Sequence, residues 1–129
     1  MTIPTANGSK LPCKFQIIDQ MYECFSFKPT LDENITEVIG THLNSHTILD
    51  VDSLNLEDSV MKKIPANLGD FFPNLINLTI KRSNLKEINQ EDFKSIPNLK
   101  FLTIEDTKIH ELSANLFKYA SSIENLFFY

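Results

Sequence analysis

The chain of 129 residues has no tryptophan, three glycines and two cysteines. So few glycines leave no glycine-rich phosphate loop, and no nucleophile turn is followed by a Ser-His-Asp or Cys-His arrangement. An enzyme is therefore not expected, nor is a cofactor. No basic cluster exceeds the pairs Lys62-Lys63 and Lys81-Arg82 in a chain of net charge −5. Nucleic acid is not an expected partner, because useful affinity through counterion release needs several phosphate contacts. No apolar run approaches the roughly 20 residues of a membrane-spanning helix. The first twelve residues, MTIPTANGSKLP, lack the apolar stretch of a signal peptide, and Pro4, Gly8 and Pro12 oppose a helix. Residues 1–12 are expected to be disordered.

What the chain does have is a period. Val51, Leu75, Leu99 and Ile123 recur every 24 positions. The same spacing aligns Leu54 with Leu78, Leu102 and Leu126, and Leu56 with Ile80, Ile104 and Phe128. Met61, Leu85 and Ile109 form a further column, as do Ile64, Ile88 and Leu112. Phe93 aligns with Phe117, and Phe72 with Ile96 and Ala120. Apolar residues alternating with polar ones, such as Leu78 and Ile80 among Asn77, Thr79 and Lys81, predict a short strand with one buried face. Pro73-Asn74 and Pro97-Asn98 precede strand columns and predict turns. A single coil buries too little apolar surface to offset its own ordering entropy, so the units must stack.

The units LINLTIKRSNLKEINQEDFKSIPN and LKFLTIEDTKIHELSANLFKYASS resemble the extracellular leucine-rich repeat, and the match covers residues 51–129. The resemblance implies an α/β leucine-rich-repeat solenoid, with parallel β-strands on a concave face and irregular or short helical returning segments. Two positions depart from the family pattern. Ser59, Ser83 and Thr107 stand where the family places an asparagine that bonds between coils, and their hydroxyls are expected to take over that bonding. Gly69 stands in the Phe93 and Phe117 column, where Leu68 or Phe71 is expected to supply the missing apolar group.

Residues 13–50 precede the repeats. Cys13 and Cys24 bracket an alternating stretch with a turn near Ile18 to Met21, which predicts a β-hairpin carrying a Cys13–Cys24 disulfide. The alternative is two unrelated buried thiols. After Pro29, Ile35 and Val38 suggest an irregular first strand leading towards Val51. With Gly40-Thr41-His42, this segment resembles the amino-terminal cap of secreted arthropod leucine-rich-repeat proteins, in which caps with four cysteines are commoner than the two-cysteine arrangement here. Three sequons, at Asn7, Asn34 and Asn77, are candidate glycosylation sites.

His42 and His46 have the spacing of a helical metal pair, but Gly40, Asn44 and Ser45 argue for a loop, and no metal site is expected. His42 reads as a hydrogen-bonded structural residue, and His110 as a solvated one. Asp50, Asp52, Glu57 and Asp58 straddle a strand and lack the tight glycine turn of a calcium loop.

The expected ligand-binding surface is the row of side chains between the strand leucines. It comprises Asn77, Phe101 and Asn125, then Thr79, Thr103 and Phe127, then Lys81, Glu105 and Tyr129, continued by Ser53, Asn55 and Glu57. Exposed aromatics on such a face are favoured interface anchors. These features lead to the expectation of a noncatalytic extracellular recognition module that binds a protein or a microbial surface molecule, with innate immunity implied by the resemblance. The alternatives are a self-associating adhesive module, driven by the aromatic end Leu126 to Tyr129, and an intracellular scaffold subunit. The final coil is incomplete, which suggests a piece of a longer secreted or receptor protein.

Overall fold

The structure is a computed structural model, described here for residues 8–129. Among the described residues eight strands form two sheets. Strands β2 (Lys14–Ile18), β3 (Met21–Phe27), β5 (Ser53–Glu57), β6 (Asn77–Lys81), β7 (Phe101–Glu105) and β8 (Asn125–Phe128) lie side by side in that order. Only β2 and β3 are antiparallel; from β3 onward every neighbour is parallel. The register of the last four strands follows the 24-residue spacing, with Leu54 opposite Leu78, Leu78 opposite Leu102, and Leu102 opposite Leu126. This is a mostly-sheet β-solenoid. Among the described residues helix is confined to α1 (Leu68–Phe71) and the two 3-10 turns Ile48–Asp50 and Gln90–Phe93, so the expected α/β character reduces to short turns on the returning side.

Each coil closes by the same backbone device. The carbonyls of Asp52, Ile76 and Lys100 each accept two N–H groups from the start of the next strand, from Ile76 and Asn77, Lys100 and Phe101, and Glu124 and Asn125. At the far end of each strand one residue takes a left-handed conformation to leave the sheet: Lys28, Asp58, Arg82 and Asp106, all with φ between 53° and 57°. The cost of a non-glycine residue in that region is small enough for the ladder to offset. The N–H groups of these residues extend the ladder to the carbonyls of Glu57, Lys81, Glu105 and Tyr129.

The predicted apolar columns form one core. Leu54, Leu56, Leu78, Ile80, Leu102 and Ile104 are fully buried, as are Leu68, Phe72, Leu85 and Phe93. Leu68 fills the irregular first coil, with Phe71 partly buried beside it. Gly69 is explained by a neighbour: a Cβ there would collide with the Ser95 carbonyl oxygen. Its N–H instead donates to Ser95 Oγ at 3.0 Å.

The hydroxyl column does not bridge the coils as expected. Ser83 Oγ and Thr107 Oγ1 accept from the N–H two residues on, in Leu85 and Ile109. Ser59 Oγ is buried with no partner among the described residues. The bond between coils comes from the adjacent position, where Asn84 Oδ1 accepts from the Met61 N–H at 2.8 Å. Local bonding wins because a short hydroxyl reaches its own turn more easily than the neighbouring coil.

The cap contains the expected hairpin and disulfide. Strands β2 and β3 are joined by Asp19 and Gln20, both at positive φ, as a tight two-residue turn requires. Cys13 and Cys24 are bridged with Cα atoms 5.0 Å apart, and both are buried. Two expectations change here. Ser9–Pro12 is not disordered but forms β1, which pairs in parallel with β4 (Ile35–Ile39) and buries Leu11 and Ile35. In turn β4 is not the first rung of the solenoid. That rung is β3, whose Cys24 and Ser26 stand opposite Leu54 and Leu56.

Candidate functional site

Because alternate residues of a strand point to opposite faces, burying Leu54, Leu78 and Leu102 turns the intervening side chains out of the sheet in rows. One row runs Glu23, Ser53, Asn77, Phe101, Asn125, the next Phe25, Asn55, Thr79, Thr103, Phe127, and the third Phe27, Glu57, Lys81, Glu105, then Tyr129 beyond β8. Every residue expected on the binding face from Asn77 to Tyr129 lies on this surface. The surface is concave. A depression of about 460 Å³ is lined by Ile18 and Asp19 of the hairpin turn together with Asn55, Thr79, Lys81, Thr103, Glu105, Phe127 and Tyr129. Asn77, Phe101 and Asn125 form the row beside it.

The row beside this depression is polar and ordered. Gln16 Nε2 donates to Glu23 Oε2 at 2.7 Å, Ser53 Oγ to Glu23 Oε1 at 3.0 Å, and Asn77 Nδ2 to Ser53 Oγ at 3.1 Å. These bonds tie four strands together across the face and satisfy the buried Glu23 carboxylate. Further along, Lys81 Nζ lies 3.8 Å from Glu105 Oε2, and Asn55 Nδ2 donates to Glu57 Oε2 at 3.1 Å. Arg82 holds Asp58 and Glu57 at 2.8 Å each. These two bonds, Asp58 first, raise the guanidinium pKa above its ordinary value.

The rim is apolar. Phe27, Phe127 and Tyr129 are 53%, 49% and 70% exposed, and Ile18 is 44% exposed. Phe25 and Phe27 stack with ring centroids 6.5 Å apart, and Lys28 Nζ lies over Phe27 at 5.2 Å. Sequence reasoning missed the hairpin's contribution to this surface, from Ile18, Asp19, Glu23, Phe25 and Phe27. The alternation of Tyr22, Cys24 and Ser26 was a usable signal: continued outward, it puts Glu23, Phe25 and Phe27 on the opposite face.

The other candidates lead elsewhere. His42 stacks on Phe15 at 4.0 Å, and its Nδ1 pairs with the Tyr22 hydroxyl at 2.8 Å, while His46 stacks on Tyr22 at 4.3 Å. The Leu43 N–H donates to that same hydroxyl. These rings pack the cap. Among the described residues no group of three or more His, Cys, Asp or Glu side chains is arranged to hold a metal ion. His110 is exposed. Of the three sequons, Asn34 is exposed, Asn77 is half-buried on the concave face, and Asn7 lies outside the described residues. No helix among the described residues is long and apolar enough to cross a membrane.

No protein family, curated protein or solved structure matches this chain.

Proposed function

We propose that this chain is a noncatalytic, extracellular recognition module of the leucine-rich-repeat type that binds a protein ligand on its concave face. The observation that carries this reading is the register of β3 to β8, which sets an ordered polar row and a depression beside exposed aromatics. Exposed aromatics beside pre-bonded polar groups match the composition of interface centres, and polar groups already held by their own hydrogen bonds lose little entropy on binding. The disulfide is compatible with an oxidising extracellular setting. A circulating or receptor-borne immune role, with a microbial surface molecule as ligand, is the extension that the arthropod resemblance suggests.

A photo-crosslinking residue placed at Thr103, with one at the exposed Glu87 as control, tests the reading in extracellular fluid. The expected result is one protein captured from position 103 and not from 87, with capture lost in Phe127→Ala. Truncating an aromatic hot spot costs about 2 kcal/mol or more, roughly 30-fold in affinity. Equal capture from both positions, or indifference to Phe127→Ala, would refute it. Self-association is the second reading, favoured by the exposed Leu126, Phe127 and Tyr129. It predicts that the captured partner is a second copy of this chain.

A further inference from the structure

We infer that Asn34 is an N-linked glycan acceptor and that Asn77, with an equally good sequon, is not. The inference rests on the extracellular reading, since the modification requires passage through a eukaryotic secretory pathway.

The two tripeptides have the same chemistry and opposite surroundings. In Asn34-Ile35-Thr36, Ile35 is 2% exposed and points inward, which turns Asn34 and Thr36 outward together. The backbone is clamped: Asn67 Oδ1 accepts from the Ile35 N–H at 2.8 Å, and Asn67 Nδ2 donates to the Ile35 carbonyl at 2.7 Å. The Asn34 carbonyl accepts from the Ser9 N–H at 2.9 Å. Thr36 Oγ1 donates to the Ser9 carbonyl at 3.2 Å across the β1–β4 pair, and among the described residues the Asn34 amide group itself takes part in no hydrogen bond. Because β4 pairs only with β1, in the sheet separate from the solenoid ladder, an oligosaccharide on Asn34 projects from the flank of the cap.

Asn77 is placed inside the six-stranded sheet, between β5 and β7. Its Nδ2 is the donor to Ser53 Oγ, which in turn donates to the buried Glu23. The partner residue of its sequon, Thr79, lines the concave depression. A glycan there would pull on the hydrogen-bonded row and lie across the face proposed to bind a ligand. The fold therefore gives one sequon to solvent and ties the other into the hydrogen-bonded row of the sheet.

In the transfer, Asn34 Nδ2 forms a bond to the anomeric carbon of a lipid-pyrophosphate-linked oligosaccharide. The anomeric C–O bond breaks, the lipid pyrophosphate departs with that electron pair, and one Nδ2 proton passes to the enzyme's base.

The test is secretion of the full chain from eukaryotic cells behind an added leader, followed by enzymatic removal of N-glycans in heavy-oxygen water and peptide mapping. The expected result is heavy-oxygen label at position 34 and none at position 77. Thr36→Ala abolishes the label at 34, and Thr79→Ala changes neither position. Label at position 77 overturns the inference. So does an unlabelled position 34 in a secreted chain with the Cys13–Cys24 bridge intact, an outcome that leaves the extracellular reading standing. A chain retained in the cell with free thiols overturns both.

Discussion

Asp92 shows at one residue how a repeat tolerates a polar substitution. The positions 24 residues before and after it are Leu68 and Leu116, which are 0% and 1% exposed, and Asp92 is itself buried at 5% exposure. The carboxylate caps its own 3-10 turn, where Oδ2 accepts from the Asn89 N–H at 2.8 Å. Burial pushes its pKa above the ordinary aspartate value, and the Asn89 hydrogen bond and the Lys63 charge offset only part of that rise. The folded state thus holds its proton to higher pH than the unfolded chain, where an aspartate titrates near about 3.9. Stability associated with this group is fully present below that pH and declines as pH rises through the folded pKa. Asp92→Asn keeps a carbonyl acceptor for Asn89 and cannot ionise. Relative to the parent, the variant should therefore gain stability between about pH 3 and about pH 7. Urea midpoints of both proteins at the two pH values provide the check, and a relative stability that is flat or falls with pH would contradict the assignment.

At the scale of elements, the cap is where the stacking rule gives way to a covalent one. Among the described residues β3 is the only rung whose outer neighbour, β2, is antiparallel, and β2 is short with an exposed end at Ile17 and Ile18. Closing a loop of about a dozen residues by the Cys13–Cys24 bridge stabilises by roughly 3 kcal/mol in the chain-entropy model. Replacing both cysteines by alanine should lower unfolding stability by about that amount. It should also weaken the packing of Phe15 against His42, seen as a loss of ring-current shifts in the His42 proton resonances. A variant as stable as the parent would show that the hairpin is held by its contacts with β5 alone. The hairpin and its bridge were legible because alternation and cysteine spacing are local signals. Strand β1 was not legible: its partner β4 lies some 26 residues away, and Pro12, Gly8 and polar neighbours hide the single buried Leu11. The join of β3 to the ladder was hidden for a related reason, since Glu23 and Ser53 are 30 residues apart and fall outside the 24-residue period.

Across the whole molecule, the same residue type should matter in proportion to the coils that cover it. The period makes Leu78, Leu102 and Leu126 chemically equivalent, and from it the outward rows of β5 to β8 followed residue by residue. What the period does not carry is the inward curvature that brings Ile18 of the hairpin and Tyr129 beyond β8 to one depression, because that depends on side chains packed between unlike coils. Nor does it carry the difference in burial: Leu78 is 0% exposed between β5 and β7, whereas Leu126 in β8 is 39% exposed. In a stack whose stability is a sum of coil and nearest-neighbour terms, a side chain with a neighbour on both sides contributes to two interfaces and one at the edge to one. Leu78→Ala should cost about 2 to 5 kcal/mol, as large-to-small changes in a packed core do. Leu126→Ala in this chain should cost well under half as much, since part of its surface already faces water. Denaturant unfolding of the two variants measures the ratio directly. Equal losses would mean that stability is shared across the sheet as a single cooperative body, and that nearest-neighbour stacking is the wrong description of how these coils hold one another.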